Sequence, residues 1–218
     1  MMTRMNLART SALALVACAA LTLPAVADGI KRGGAITIGR ADEALTLDPF
    51  IPSDNGSIYA IAQICESLVS ADKDGTGLVP GLAKSWTKSD DGLTYTFMLR
   101  EGLKFSDGTP LSGADVTFSL TKVMDPAAAY GFAFDPVASV EALDDLTVKI
   151  TLKQPYSPIL SALSLFSASV VEKAAYEASP EKFGANPICT GPFKVDSFER
   201  GSQLVLVPNT YYWDKGED

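Results

Sequence analysis

The apolar positions of this chain follow two periodicities. Alternation is sharpest from Thr94 to Leu99, where Tyr95, Phe97 and Leu99 share one face and Thr94, Thr96 and Met98 the other. It recurs from Leu146 to Lys153, where Leu146, Val148, Ile150 and Leu152 alternate with Thr147, Lys149, Thr151 and Lys153. Each stretch predicts a strand with one face in a core and one toward water. Spacings of three and four appear instead at Ile58, Ile61, Ile64, Cys65 and Leu68, and they predict a helix over Ile58–Val69 with Ser57 as its N-cap. Ser112 and Asp115 read as a capping box with Asp in the usual Glu role, opening a helix through Met124 that Asp125-Pro126 ends.

Turn chemistry punctuates the rest. Asp90-Asp91-Gly92 offers the positive φ of a tight hairpin between Trp86–Lys88 and the Thr94 strand, and Ser106–Pro110 makes a second turn. Asp72–Gly75 is a further turn, and Asp144-Asp145 closes a hairpin between a Val137–Leu143 strand and the Leu146 strand. A strand is expected over Ala35–Arg40 after Gly33-Gly34. Short helices are expected from Pro158 through Leu165 and over Glu172–Ala178, and two closing strands over Phe193–Phe198 and Leu204–Val207, linked by Glu199–Ser202. Strands and helices in this mixture predict an α+β fold, without internal repeats.

The N-terminus has a different character. Arg4 and Arg9 precede an uncharged run, Ser11 to Leu23, that closes on the small-x-small site Ala25-Val26-Ala27. This reads as a signal peptide over residues 1–27, too short for a membrane span, followed by an exported domain over residues 28–218. The rival reading takes Leu15–Cys18 as a lipobox with Cys18 lipidated, but the apolar run continues past the cysteine. Cleavage removes two arginines and no acid, so the formal charge of −8 becomes more negative by two. An acidic exported protein without a Lys/Arg cluster is not expected to bind nucleic acid. Cys65 and Cys189 remain, and an oxidising compartment leaves open a disulfide or, for Cys65, a plain buried thiol.

Candidate chemistry is sparse. The chain has no histidine, which excludes His-based triads and His general bases within it. Ser119-Leu120-Thr121-Lys122 and Ser53-Asp54-Asn55 imitate two serine β-lactamase elements, but in reversed order and without K-T-G; Ser119 is expected to be a helix-face hydroxyl. Asp72-x-Asp74-Gly75 lacks the acids an EF-hand needs at its fifth and twelfth positions, where Thr76 and Ala83 stand. No enzymatic activity, cofactor or metal is expected.

One long string carries more. Val79 to Leu111, with Ala83, Asp91-Gly92, T-Y-T-F-M-L-R over Thr94–Arg100 and D-G-T-P over Asp107–Pro110, resembles the signature region of the family 5 bacterial extracellular solute-binding proteins. These are the dipeptide, oligopeptide and nickel receptors of ABC importers. Further resemblances run from Gly34-x-Ile36-x-Ile38 and Leu45-x-Leu47-Asp48-Pro49 through Glu66-Ser67-Leu68-Val69 and Asp115-Val116-x-Phe118-Ser119. Pro187–Phe193 and the N-x-x-Y-W element at Asn209–Trp213 extend them, so that they cover residues 33–213. Cys189 stands where the family commonly has Gly, a departure that strengthens pairing with Cys65.

The resemblance implies lobe one of a two-lobed, type II periplasmic binding protein, with the second lobe absent and the chain an N-terminal part of the whole. It implies a monomer that captures a small solute, most often a peptide, in an interlobe cleft and delivers it to permease subunits in the inner membrane. A non-transporting remnant and an exported single-lobe interaction module are the alternatives. By the same resemblance, one cleft wall comes from the loop after Pro49, with Phe50, Ser53, Asp54, Asn55 and Ile58, from Tyr130, Phe132 and Phe134, and from Phe166 and Ser167. Phe50, Phe132 and Phe134 could equally be core or anchoring residues.

Overall fold

A computed structural model describes residues 33–216. The signal-peptide and lipobox readings, residues 1–27 with Cys18, lie outside the described residues. Residues 33–38 fall in a different unit from Gly39 onward. The strand expected over Ala35–Arg40 is not formed: this stretch has no regular secondary structure, and Ile36 is 86% exposed. Alternation alone makes no strand, because the ladder needs a hydrogen-bonding neighbour.

From Gly39 on, the elements run α1 (Asn55–Ile64), β1 (Val69–Ala71), β2 (Leu78–Pro80), β3 (Ala83–Lys88), β4 (Thr94–Leu99), α2 (Gly113–Val123), β5 (Val137–Asp144), β6 (Thr147–Leu152), α3 (Ile159–Ala162), α4 (Lys173–Ala178), α5 (Pro180–Phe183), β7 (Phe193–Glu199) and β8 (Gln203–Pro208). Single 3-10 turns sit at Gly131–Phe134 and Phe166–Ala168. β3, β4, β6 and β5 form, in that order, an antiparallel sheet, flanked in sequence by the two-stranded ladders β1–β2 and β7–β8. The expected α+β class is the observed one.

Both alternating stretches are strands, and their register explains the core. Phe97 pairs with Trp86 on one side and Val148 on the other, and Tyr95 with Ile150. Tyr95, Phe97, Leu99, Val148, Ile150 and Leu152 are buried, whereas Met98 faces out. Gly92 turns the β3–β4 hairpin at φ +71°, a conformation an L side chain resists. α2 packs over β5 and β6. Its first turn is closed by the Asp115 carboxylate, which accepts from the backbone N–H of Ser112 at 3.0 Å and from its hydroxyl at 2.9 Å. Ser119 is fully buried; its hydroxyl donates to the Asp115 carbonyl at 2.8 Å and accepts from the Val171 N–H at 3.0 Å, a structural role.

The first helix departs from its expected bounds at both ends. It starts three residues early, capped by Asp54, whose carboxylate accepts from the Ser57 N–H at 2.8 Å. Ser57 is instead a buried anchor, its hydroxyl accepting from the N–H groups of Leu45 and Thr46. The helix stops at Ile64 because more distant partners take the next carbonyls. Gly191 N–H donates to Ile64 O, Val170 N–H to Glu66 O, Leu82 N–H to Ser67 O, and both Gly81 and Ala83 N–H to Leu68 O. Gly191 permits this approach, since a Cβ there would lie 2.5 Å from the Ile64 carbonyl carbon. At the same junction Cys65 and Cys189 are disulfide-bonded, with Cα atoms 4.9 Å apart across a sequence separation of 124.

Candidate functional site

The three segments singled out in the sequence lie side by side. The loop after Pro49 is rooted by Asp48, a buried carboxylate that accepts from the Phe50 N–H at 3.0 Å and the Tyr176 hydroxyl at 3.1 Å. Burial pushes the Asp48 carboxyl above its usual range, and the same burial beside that carboxylate drives the Tyr176 phenol well above its own. The Tyr176 ring packs against Phe50, Phe118 and Phe183, which fixes the loop to α4 and α5. The Ala129 N–H then donates to the Phe50 carbonyl at 3.1 Å, joining this loop to the second segment. The second meets the third through rings: Tyr130 stands edge-on to Phe166 at 5.1 Å and lies 6.1 Å from Phe132.

Exposure sorts the candidates. Phe132 is 70% exposed, Tyr130 and Phe166 are half-buried, and Ser53 and Asn55 are open to water. Phe50, Phe134 and Ser167, expected as surface candidates, are only 5%, 2% and 1% exposed and lie in the core behind these segments, so their side chains present almost no surface. Asp54 is half-buried and engaged as the α1 cap, and Ile58 is half-buried one turn on. A cleft of about 260 Å³ opens beside the loop, lined by Asp48, Ile51, Glu181, Gly184, Phe198 and Arg200; it includes none of Tyr130, Phe132 and Phe166. Among the described residues no group of acids or cysteines is arranged to hold a metal ion.

A second cluster joins the Glu66–Val69 and Asn209–Trp213 motifs, which lie far apart in the sequence. Glu66 lies mostly buried, its two carboxylate oxygens accepting from Trp213 Nε1 at 3.2 and 3.1 Å and one also from the Tyr212 hydroxyl at 3.4 Å. Burial pushes its pKa to about 7 against the lowering effect of the Thr190 hydroxyl and of these bonds, and Asp214 nearby adds to the rise. Arg100 stacks on the Trp213 ring at 4.1 Å while its Nε donates to the Gly81 carbonyl at 2.8 Å. The pairing of Glu66 with Trp213 spans 147 residues, a separation that no local sequence signal reveals.

The family profile "Bacterial extracellular solute-binding proteins, family 5 Middle" matches residues 77–218. The glutathione-binding protein GsiB of Escherichia coli strain K12 is 37% identical over 174 residues, covering 78% of this chain and 34% of GsiB. In structure, the periplasmic binding protein DppA of Helicobacter pylori, solved with the peptide STSA, matches 78% of this chain and 38% of its own at TM-score 0.71 and 31% identity. NikZ of Campylobacter jejuni, solved with Ni(L-His), matches 79% of this chain and 35% of its own at TM-score 0.70 and 31% identity. The chain thus spans about a third of the length of the relatives it matches. The profile match extends across the signature hairpin, the α2 helix and the closing β7–β8 ladder, and the chain belongs to the family 5 bacterial extracellular solute-binding proteins, which are binding proteins and not enzymes.

Proposed function

We propose that this chain supplies the N-terminal lobe of the periplasmic substrate-binding component of an ABC importer, exported after removal of residues 1–27. The lobe presents one wall of an interlobe cleft, and a small solute drives closure by contacting the closed state better than the open one. The closed monomer then docks on the inner-membrane permease. Peptides are the favoured solute class, because relatives are named for glutathione and solved with a peptide, while the Ni(L-His) relative marks the alternative.

The observation that carries this reading is the aromatic group of exposed Phe132 with half-buried Tyr130 and Phe166, joined through the Ala129 hydrogen bond to the Phe50–Asn55 loop. Rings supply apolar contact area, and the exposed Ser53 hydroxyl and Asn55 amide beside them can orient a polar ligand. Calorimetric titration of glutathione and the peptide STSA into protein recovered from the periplasm of its host tests the assignment. Phe132→Ala is expected to weaken binding about tenfold or more, since covering a Phe ring contributes roughly 1.5–3 kcal/mol. Phe132→Ala should leave folding stability nearly unchanged, whereas Phe134→Ala should cost about 3–5 kcal/mol of stability because that ring is buried. Unchanged affinity in Phe132→Ala would remove the aromatic wall from the reading.

A further inference from the structure

The cleft beside the Asp48 loop carries charges that the fold leaves unused. Its margins come from three places: Asp48 and Ile51 on the loop, Glu181 and Gly184 in and after α5, and Phe198 and Arg200 on the β7–β8 hairpin. Backbone bonds fix these margins relative to one another. The Leu47 N–H donates to the Gly184 carbonyl at 2.8 Å, tying the loop to the end of α5. The Glu43 carboxylate accepts from the Gly201 N–H, tying the chain before the loop to the turn that carries Arg200. The Arg200 guanidinium lies over the Phe198 ring, 5.1 Å from its centre. Among the described residues the ion pairs are Lys84–Glu101 and Lys149–Glu141, so Arg200 and Glu181 line one cleft without pairing to each other.

A guanidinium and a carboxylate left unpaired in one cleft offer a fork of donors and a pair of acceptor oxygens to whatever enters. A lone anion there would meet the repulsion of Glu181, and a lone cation that of Arg200. A zwitterion satisfies both. Ile51, 61% exposed, and the half-buried Phe198 add apolar surface to the same cleft. Its volume of about 260 Å³ falls just below the roughly 300–1,000 Å³ of drug-sized sites, which suits one free amino acid better than a peptide. We propose that this cleft binds a free apolar α-amino acid, its carboxylate on Arg200, its ammonium on Glu181 and its side chain against Ile51 and Phe198. The site shares none of the rings of the aromatic wall and does not rest on the receptor reading above.

Calorimetric titration of L-leucine into the dialysed protein tests this, with leucinamide and N-acetyl-leucine as probes that each lack one of the two charges. Leucine is expected to saturate the site, and each one-charge probe to bind at least about tenfold more weakly, the scale of a lost hydrogen bond to a charged group. Arg200→Met should weaken leucine binding by a similar factor and erase its advantage over leucinamide. Glu181→Gln should erase its advantage over N-acetyl-leucine. Both side chains are exposed, so these variants leave the core intact. Phe132→Ala should leave leucine affinity unchanged. Absence of saturable leucine binding overturns the proposal, as do equal affinities for the three probes. A leucine affinity that falls in Phe132→Ala and survives Arg200→Met overturns it too, because the amino acid would then sit at the aromatic wall.

Discussion

At the scale of the residue, Glu66 converts burial into a pH dependence of known sign. Its folded pKa of about 7 stands above its ordinary value of 4.5. The folded state therefore holds a proton that the unfolded chain releases between these values. The contribution is fully present below pH 4.5 and is lost as pH rises through 7, so stability should fall over that window by roughly 3 kcal/mol. Denaturant midpoints measured at pH 5 and pH 8 check this, and Glu66→Gln should flatten most of the difference. Asp48, raised by its own burial, acts in the same direction and accounts for a residual slope. A midpoint that climbs from pH 5 to 8 in the unmodified protein would contradict the assignment. Glu66 carried no signal in the sequence beyond its motif, because its partners Trp213 and Tyr212 lie at the far end of the chain.

Among the elements, α2 is the one whose boundaries follow most directly from local chemistry. Ser112 and Asp115 start it, and Asp125-Pro126 follows its C-cap at Met124. Asp115 does more than cap, since its other carboxylate oxygen accepts from the Lys173 N–H at 3.1 Å and so fastens α4 to the start of α2. Asp115→Ala should therefore cost about 1–2 kcal/mol in a denaturant titration, the upper part of the range for a lost cap. Asp115→Asn should recover part of it by keeping one acceptor oxygen. A cost near zero would mean that water replaces both bonds. α1 shows the opposite case: its apolar periodicity runs on to Leu68, yet long-range hydrogen bonds from Gly191, Val170, Leu82, Gly81 and Ala83 draw the carbonyls of Ile64 and residues 66–68 out of the helix. Periodicity reports which side chains are buried and does not report which backbone groups have better partners elsewhere.

Across the whole molecule, the Cys65–Cys189 bond is the longest covalent constraint, closing a loop of 124 residues between the end of α1 and the approach to β7. By loop entropy its removal should cost roughly 4–5 kcal/mol. Denatured, unreduced protein from an oxidising compartment should show neither Cys65 nor Cys189 reactive toward a thiol reagent. Cys65→Ser paired with Cys189→Ser should lower the thermal midpoint markedly, and two free thiols in the unmodified protein would cancel both expectations.

The amino-acid sequence alone determined the strands β4 and β6, the hairpin turn at Gly92, the α2 cap and the family, because each rests on neighbours in the chain: alternation, a residue that tolerates positive φ, a carboxylate three positions on, a long ordered motif. It placed Tyr130, Phe132 and Phe166 in candidate wall segments without telling them from Phe50, Phe134 and Ser167. Only the tertiary structure made that division, since exposure depends on what packs behind a ring and not on the ring itself. The tertiary structure likewise decided where α1 stops, left residues 35–38 outside any strand, and brought Glu66 against Trp213, all outcomes of partners too distant in sequence for any local pattern to name.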